Sequence, residues 1–393
     1  MINKKIAFGI IFFVFLVSAT VSYSYFKNQK EGDFFLSPIK YTPPSFNGAT
    51  NNLNQSLTSN NQPKTEECPL NGALYSKTQR EKWEKRRPLG IMVENHTDAR
   101  PQSGLSFADV VYEVVAEGGI TRFLAIYYCQ DASPVGPVRS ARIYFIKLLQ
   151  EYGNYPLYAH VGGANTPGPA DALGEITDLG WVSYNDLNQF SVPFPYFWRD
   201  YERLPNRATE HTVYTSTVKL WQFAKDKRKL SNVDEDGVLW NKGFTPWLFK
   251  DDEEKAKRGE ITKISFGFWD NFVSDFKVDW LYNKEKNIYE RNNGGKPHLD
   301  KNTGKAINAK NVIIVFAKES PANDGYPGGH ILYKLIGSGD GLLFQDGKAV
   351  KISWQKDDEE SRMKFYDQAG KEVELVRGPI WVEILPVGNE VSY

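Results

Sequence analysis

The sequence has no excess of charge: 48 Lys and Arg face 48 Asp and Glu across 393 residues. That balance excludes a nucleic-acid binder held by bulk positive charge and makes any electrostatic specificity local. Cysteine is nearly absent, with Cys68 and Cys129 alone. Their spacing and the histidines around them make no zinc pattern, so no metal and no cofactor is expected. The signatures of a hydrolase nucleophile elbow, a zincin helix and an EF-hand loop are missing too, and nothing repeats at a fixed period. Gly337-Ser-Gly-Asp-Gly341 lacks the Lys-Ser/Thr of a phosphate loop and reads as a β-turn.

What the chain does have begins at its N-terminus. Lys4 and Lys5 precede an apolar run from Ile6 to Val17, which thins through Ser18, Thr20, Ser22 and Ser24 before Lys27. Read as Ile6 to Phe26, the stretch spans a hydrocarbon layer of ~30 Å, with Tyr23, Tyr25 and Phe26 at the interface. Read as a short dense core ending in Val17-Ser18-Ala19, it is a removable signal peptide. Residues 1–27 are therefore a signal anchor or a signal peptide. Both readings leave the two lysines inside and export everything after Lys30, which gives the protein one partner, the membrane, through its N-terminus. An exported cysteine pair can oxidise, so Cys68 and Cys129 are a disulfide candidate; two unpaired thiols, with Cys129 buried in a strand, is the other reading.

Residues 28–80 are rich in Asn, Ser, Thr, Gln and Pro and cannot bury enough apolar surface to offset their ordering entropy, which predicts a disordered tether. Residues 81–230 alternate strand and helix patterns. Strands are expected at 88–93, 108–116, 120–129 and 156–161, and helices at 140–152 and 170–176. Glu117-Gly-Gly119 makes the second and third strands a hairpin. The fold class is an α/β or α+β N-terminal domain, then a charged linker over 231–260, then a mainly β C-terminal domain over 261–393, in which Asp346-Gly347 forms a tight turn.

Four stretches of the first domain, Ala99-Arg-Pro-Gln-Ser-Gly-Leu105, Ala108-Asp-Val-Val-Tyr-Glu113, Glu117-Gly-Gly-Ile-Thr-Arg-Phe123 and Gly136-Pro-Val-Arg-Ser-Ala-Arg142, resemble the YerB-type lipoproteins, a bacterial family without an assigned reaction. Asn311-Val312, Gly337-Ser-Gly339, Asp346-Gly347, Trp354-Gln-Lys356 and Gly378-Pro-Ile-Trp381 extend the likeness more loosely to the C-terminus. The resemblance implies an extracytoplasmic, two-domain plan. Members called lipoproteins carry a lipid-accepting cysteine at the end of the signal. Here the first cysteine is Cys68, so the resemblance does not carry lipidation over and a protein anchor takes its place.

The densest polar information lies between Asn95 and Arg142. Arg139 and Arg142 flank the start of a predicted helix, where the macrodipole is already positive and a counter-charge is needed. Arg122 starts the third strand and Arg100 precedes a proline; with Ser140 they define an expected anion site. The competing expectation is that Asp109, Glu113 and Glu117 neutralise the arginines as internal ion pairs, and these three carboxylates are also the catalytic candidates. His160 stands at a strand end before Gly162-Gly163, where open α/β sheets place site residues. His211 sits in a polar stretch, whereas His96, His298 and His330 have no such context. Trp181, Trp198, Trp221, Trp240 and Trp247 read as core.

These residues point to a membrane-tethered envelope protein that binds an anionic or glycan-linked ligand. A phosphoryl or glycosyl-phosphate transferase is the second reading. The order Thr121-Arg122, Arg139-Ser140 and His160-Val-Gly-Gly163 is distantly similar to the LytR-CpsA-Psr transferases, which clamp a pyrophosphate with arginines. An interaction protein with structural arginines is the third. The topology has a direct test: protease added to intact wall-stripped cells digests the body of the protein, and full protection of the chain overturns the assignment.

Overall fold

Three apolar stretches of the first half, β1 (Leu89–Glu94), β2 (Val110–Glu117) and β3 (Ile120–Tyr127), are buried along almost their whole length. Continuous burial of this kind marks a sheet covered on both faces. The computed structural model describes residues 62–271 and 273–393. The expected anchor and the tether up to residue 61 lie outside them. No helix among the described residues is long and apolar enough to cross a membrane. Among the described residues the first strand starts at Lys64, inside the range read as tether. A hairpin of Lys64–Glu67 and Leu74–Ser76 leads into α1 (Lys77–Trp83), which Ser76 and Gln79 start as a reciprocal capping box. Between those strands Cys68 is joined to Cys129, just past β3, by a disulfide that ties the hairpin to the sheet.

β2 and β3 form the expected hairpin, with Gly118 and Gly119 both at positive φ. β1 pairs with β3, and β4 (Leu157–His160) and β5 (Asp186–Asn188) extend the sheet in parallel beyond β1. The second half supplies β6 (Asn311–Pro321), β7 (Gly337–Gln345), β8 (Lys348–Lys356), β9 (Lys364–Asp367) and β10 (Ile380–Pro386). The order across this sheet is β9-β8-β7-β6-β10-β2-β3-β1-β4-β5, with Ile331–Lys334 also pairing β6. β10 runs parallel to β6 on one side and to β2 on the other, so one sheet passes through both halves. A second, six-stranded sheet is built around Lys263–Phe266, Val278–Asn283 and Ile288–Asn293. Mixed sheets and a mainly strand second half fit the expected fold class.

The helix expected over 140–152 is shorter. α2 (Ile143–Leu149) continues only as a 3₁₀ turn to Tyr152, and Leu149 packs so closely on β1 that a Cβ at Gly90 would lie 2.8 Å from its Cδ1. α3 (Ala172–Asp178) and α4 (Thr217–Arg228) complete the helices of the first half. The run Gly337 to Gly341 is strand, not turn: Gly339 faces Trp354 in register, and a Cβ there would meet the indole at 2.7 Å. Within the stretch read as linker, Leu248–Lys250 pairs in parallel with Glu374–Val376.

Charge is buried where the halves meet. Glu113 on β2 accepts from Thr121 Oγ1 at 2.6 Å and Asn95 Nδ2 at 3.1 Å, and it pairs with Arg291 of the second sheet. Glu383 lies directly opposite Glu113 on β10, and burial together with the Glu113 charge pushes its carboxyl well above the usual range. Arg291 and Glu113 are both fully buried. Arg291→Met strands the Glu113 charge and is expected to cost ~3–5 kcal/mol in denaturant unfolding, with much of the loss recovered when Glu113→Gln is added. A loss under ~1 kcal/mol for the single variant would show that the pair carries no such weight.

Candidate functional site

The carboxyl ends of β1, β2 and β4 lie on one side of the sheet, the edge along which open α/β sheets form their crevices. The segment after Pro137 is strapped into this edge by its backbone. Arg139 N–H donates to Met92 O at 2.9 Å, Val161 N–H donates to Arg139 O at 3.1 Å, and Ala141 N–H donates to Gly162 O at 2.9 Å. Gly162 holds φ +59°, and at Gly163 a Cβ would come within 2.9 Å of Leu173 and 3.1 Å of Ala141, so the turn admits only glycine without rearrangement. Arg139, Ser140 and Arg142 are thereby fixed beside the end of β2, which brings Glu117, and the start of β3, which brings Arg122.

The result is a polar cleft of about 680 Å³ whose wall includes Arg122, Arg139, Ser140, Arg142, Glu94 and Glu117. Two carboxylates organise it. Glu117 pairs with Arg142 through one oxygen and with Arg122 through the other, at 3.2 Å. Glu94 faces Arg139 Nε at 3.3 Å and His211 Nδ1 at 2.9 Å. Arg122 also donates to Ser140 O at 3.2 Å, and Arg142 donates to Ala141 O at 2.6 Å. Burial, and then the neighbouring Arg142 charge, bring Arg122 down to about 10. Glu117 is lowered because its hydrogen bond to Arg142 and the Arg122 charge outweigh burial, and the same bond raises Arg142 against its own burial. Glu117, Arg122 and Arg142 are charged at neutral pH. Glu94 holds His211 above its ordinary value by hydrogen bond, ahead of the opposing effect of burial.

Three of the four expected arginines and Ser140 therefore come together. Arg100 does not: its guanidinium is taken by the carbonyls of Asn95 and Asp275 and lies over Phe276, tying β1's loop to the helical turn just before Val278–Asn283. His160 is fully buried between Asp186 Oδ1 and Gly162 O, both at 2.7 Å, and props the turn from beneath. Asp109 accepts the N–H groups of Tyr128 and Cys129 and the amide of Asn71, and burial pushes it up to about 6. It is a strand-end brace next to the disulfide. Glu113 serves Arg291, not the cleft arginines; of the three carboxylates, only Glu117 meets them. The macrodipole argument also changes, because α2 has only seven residues and Arg142, its N-cap residue, reaches to Glu117.

His211, singled out in its polar stretch, does reach the cleft, from a 3₁₀ turn. The cleft also contains residues that the sequence did not mark: Glu94, His96 and Asp98 follow one another along the end of β1, Glu210 precedes His211, and Tyr326 and His330 come from the second half. Their nearest sequence signal was the alternation Glu94-Asn-His96-Thr-Asp98 directly after a strand. A second cleft, about 440 Å³ between α1 and α4, is lined by Lys82, Lys85, Arg86 and Trp221. Its Arg86 is already stacked on Trp221 and bonded to Asp131 and Tyr128 O.

The fold and cleft define a two-region protein in which a mixed sheet carries an arginine–carboxylate crevice at its strand ends. Residues 75–231 match the N-terminal domain, and residues 270–382 the C-terminal domain, of the family described as "Protein of unknown function (DUF3048)"; the chain belongs to this family. "Putative lipoprotein YerB" of Bacillus subtilis (strain 168) is 33% identical over 321 residues, 81% of this chain and 86% of that one. The crystal structure of YerB protein from Bacillus subtilis superposes with a TM-score of 0.67 at 30% identity, covering 84% of this chain and 100% of that chain. The YerB-type resemblance read from the sequence therefore holds.

The ion pairs set an order of damage. Arg142→Ala removes a charge-assisted bond from a carboxylate that keeps Arg122, and is expected to cost ~2–3 kcal/mol. Arg139→Ala leaves Glu94 with His211 and is expected to cost less than ~1 kcal/mol. Denaturant unfolding of both variants checks the order, and equal losses would contradict it.

Proposed function

We propose that the protein is held at the cell envelope by its N-terminus and that the cleft binds an anionic group, a phosphate or carboxylate carried on an envelope glycan or polymer. The observation that carries this reading is the sharing of one carboxylate by two buried guanidinium groups. Arg122 and Arg142 both rely on Glu117, and Arg139 stands beside them with Glu94 already engaged by His211. Arginine at such a wall favours planar, bidentate oxyanions. The basic-apolar start of the chain and the printed name of the Bacillus subtilis relative, a lipoprotein, support the location. The transferase reading keeps only Glu117 of the three carboxylates read as catalytic candidates, because Asp109 and Glu113 lie elsewhere.

Calorimetric titration of the full chain in detergent with inorganic pyrophosphate and with citrate tests the proposal, at low salt and at ~0.15 M ionic strength, where the Debye length is ~8 Å. The parent binds at least one probe, more weakly in salt. Arg139→Ala loses about tenfold, and Arg139→Lys recovers only part because an ammonium lacks the planar fork. No salt-sensitive binding by the parent, or equal binding by Arg139→Ala, overturns the anion site.

A further inference from the structure

Beyond Glu94 the same cleft changes character from guanidinium to imidazole. The ring of His211 is nine-tenths buried, and its Nδ1 lies 2.9 Å from Glu94 Oε2. A carboxylate only accepts, so Nδ1 carries a proton, which makes Nε2 the lone-pair nitrogen of the neutral ring. Among the described residues that Nε2 makes no hydrogen bond. The ring of His96 stacks on it at 5.0 Å with 12° between planes. His96 Nδ1 accepts from the Asp98 N–H at 3.1 Å, which brings the Asp98 side chain to the same place. One donor atom each from His96, Asp98 and His211 lies within 4.8 Å of the other two.

We propose that His96, Asp98 and His211 bind a divalent first-row cation, zinc by ligand preference, with Glu94 as the carboxylate that orients His211. Two imidazoles and one carboxylate are the donor set of three-ligand sites that keep a fourth position open. A carboxylate on the far nitrogen of a ligating imidazole is the usual means of fixing its tautomer and raising its basicity. Bonds of ~2.0–2.1 Å in a tetrahedron place ligand atoms ~3.3 Å apart, so the three atoms close by movements of roughly 1 Å. His96 and Asp98 are both partly exposed and free to make them. His96 gives its lone pair to the metal by exchanging a single hydrogen bond. The only ion-pair partner of Asp98 among the described residues, Arg207 at 3.9 Å, is exposed and holds it weakly.

The site was invisible as a motif because its ligands come from two separate segments, the 3₁₀ turn Thr97–Ala99 with its capping residue His96 and the turn Thr209–His211, which the fold lays together. Its consequence rests on the anion reading above: a cation there adds positive charge beside Arg139, and an oxyanion held by the arginines gains a metal contact from the same cleft. The metal site itself stands without that reading.

Titration of the full chain in detergent with Zn²⁺ alone, by calorimetry, and with Co²⁺ alone, by visible absorption, tests the proposal. One equivalent of each binds, and cobalt gives the intense band of a four-coordinate site. His211 is buried, so the partly exposed positions carry the mutational test. His96→Ala and Asp98→Asn each weaken zinc about tenfold or more and abolish the cobalt band, while Glu94→Gln weakens zinc about tenfold through His211. Circular dichroism confirms that the variants are folded. No stoichiometric metal, or unchanged affinity in both His96→Ala and Asp98→Asn, overturns the site. Zinc binding without pyrophosphate binding removes the anion reading alone; pyrophosphate binding without zinc binding removes the metal site alone.

Discussion

The arrangement on which the rest depends is the insertion of β10, from the end of the chain, between β6 and β2. Parallel pairing on both sides cannot be made by a short turn, so the first half's sheet is completed only when the second half has folded against it. The charges at this seam impose the register. Glu383 faces Glu113 across the strand pair, and burial together with the Glu113 charge pushes its carboxyl well above the usual range, while Glu113 takes Arg291. A slip of one residue would turn Glu383 to the other face and leave Trp280 Nε1, which donates to it at 3.0 Å, without a partner. A second buried cluster joins the halves elsewhere: Glu151, beside α2, accepts from Arg362 at 2.9 Å and from the Met363 N–H at 2.9 Å.

The cleft inherits this dependence. Its floor is a row of strand ends from the first half, but Tyr326 and His330 reach it from the loop before Ile331–Lys334, which pairs with β6. His330 is held by Asp324 at 2.6 Å and stacked under Tyr326 at 4.1 Å, so this wall is ordered by contacts of its own. The boundary between the two matched family domains is a boundary in sequence. The crevice draws on both.

What was legible in the sequence follows from the range of the interactions. The strand patterns at 88–93, 108–116 and 120–129 and the Gly118-Gly119 and Asp346-Gly347 turns are local statements about side-chain alternation and positive φ, and they reappear as β1, β2, β3 and two hairpins. Convergence of Arg122, Arg139 and Arg142 was also within reach, because a hairpin and a short connection keep them near one another in any compact fold. The partner of Glu113 was not, since Arg291 lies 178 residues away and is brought in only by the second sheet. The same limit applies to His160. A histidine at a strand end is correctly placed for a crevice, but whether it faces the crevice or the turn beneath is decided by Asp186, on a strand that pairs only in three dimensions.

Two clusters in which one carboxylate meets two Lys or Arg side chains sharpen the reading of the cleft. At Glu151 the cations are Lys356 and Arg362, and the surplus is absorbed inside the fold: Lys356 donates to the carbonyls of Glu359 and Ser361, and Arg362 lies over Trp247 at 3.5 Å and Tyr152 at 4.4 Å. At Glu117 the stoichiometry is the same, but among the described residues no aromatic ring lies over Arg122 or Arg142, and each has one backbone carbonyl in addition to Glu117. Arg122 keeps its charge at neutral pH although burial and Arg142 bring it to about 10. A fold that needed these arginines only for packing had a solution available, the one it uses at Glu151. At the cleft it leaves the repulsion between two guanidinium groups uncovered on the side that opens to solvent, and on the proposed reading the missing counter-charge is the oxyanion that enters there.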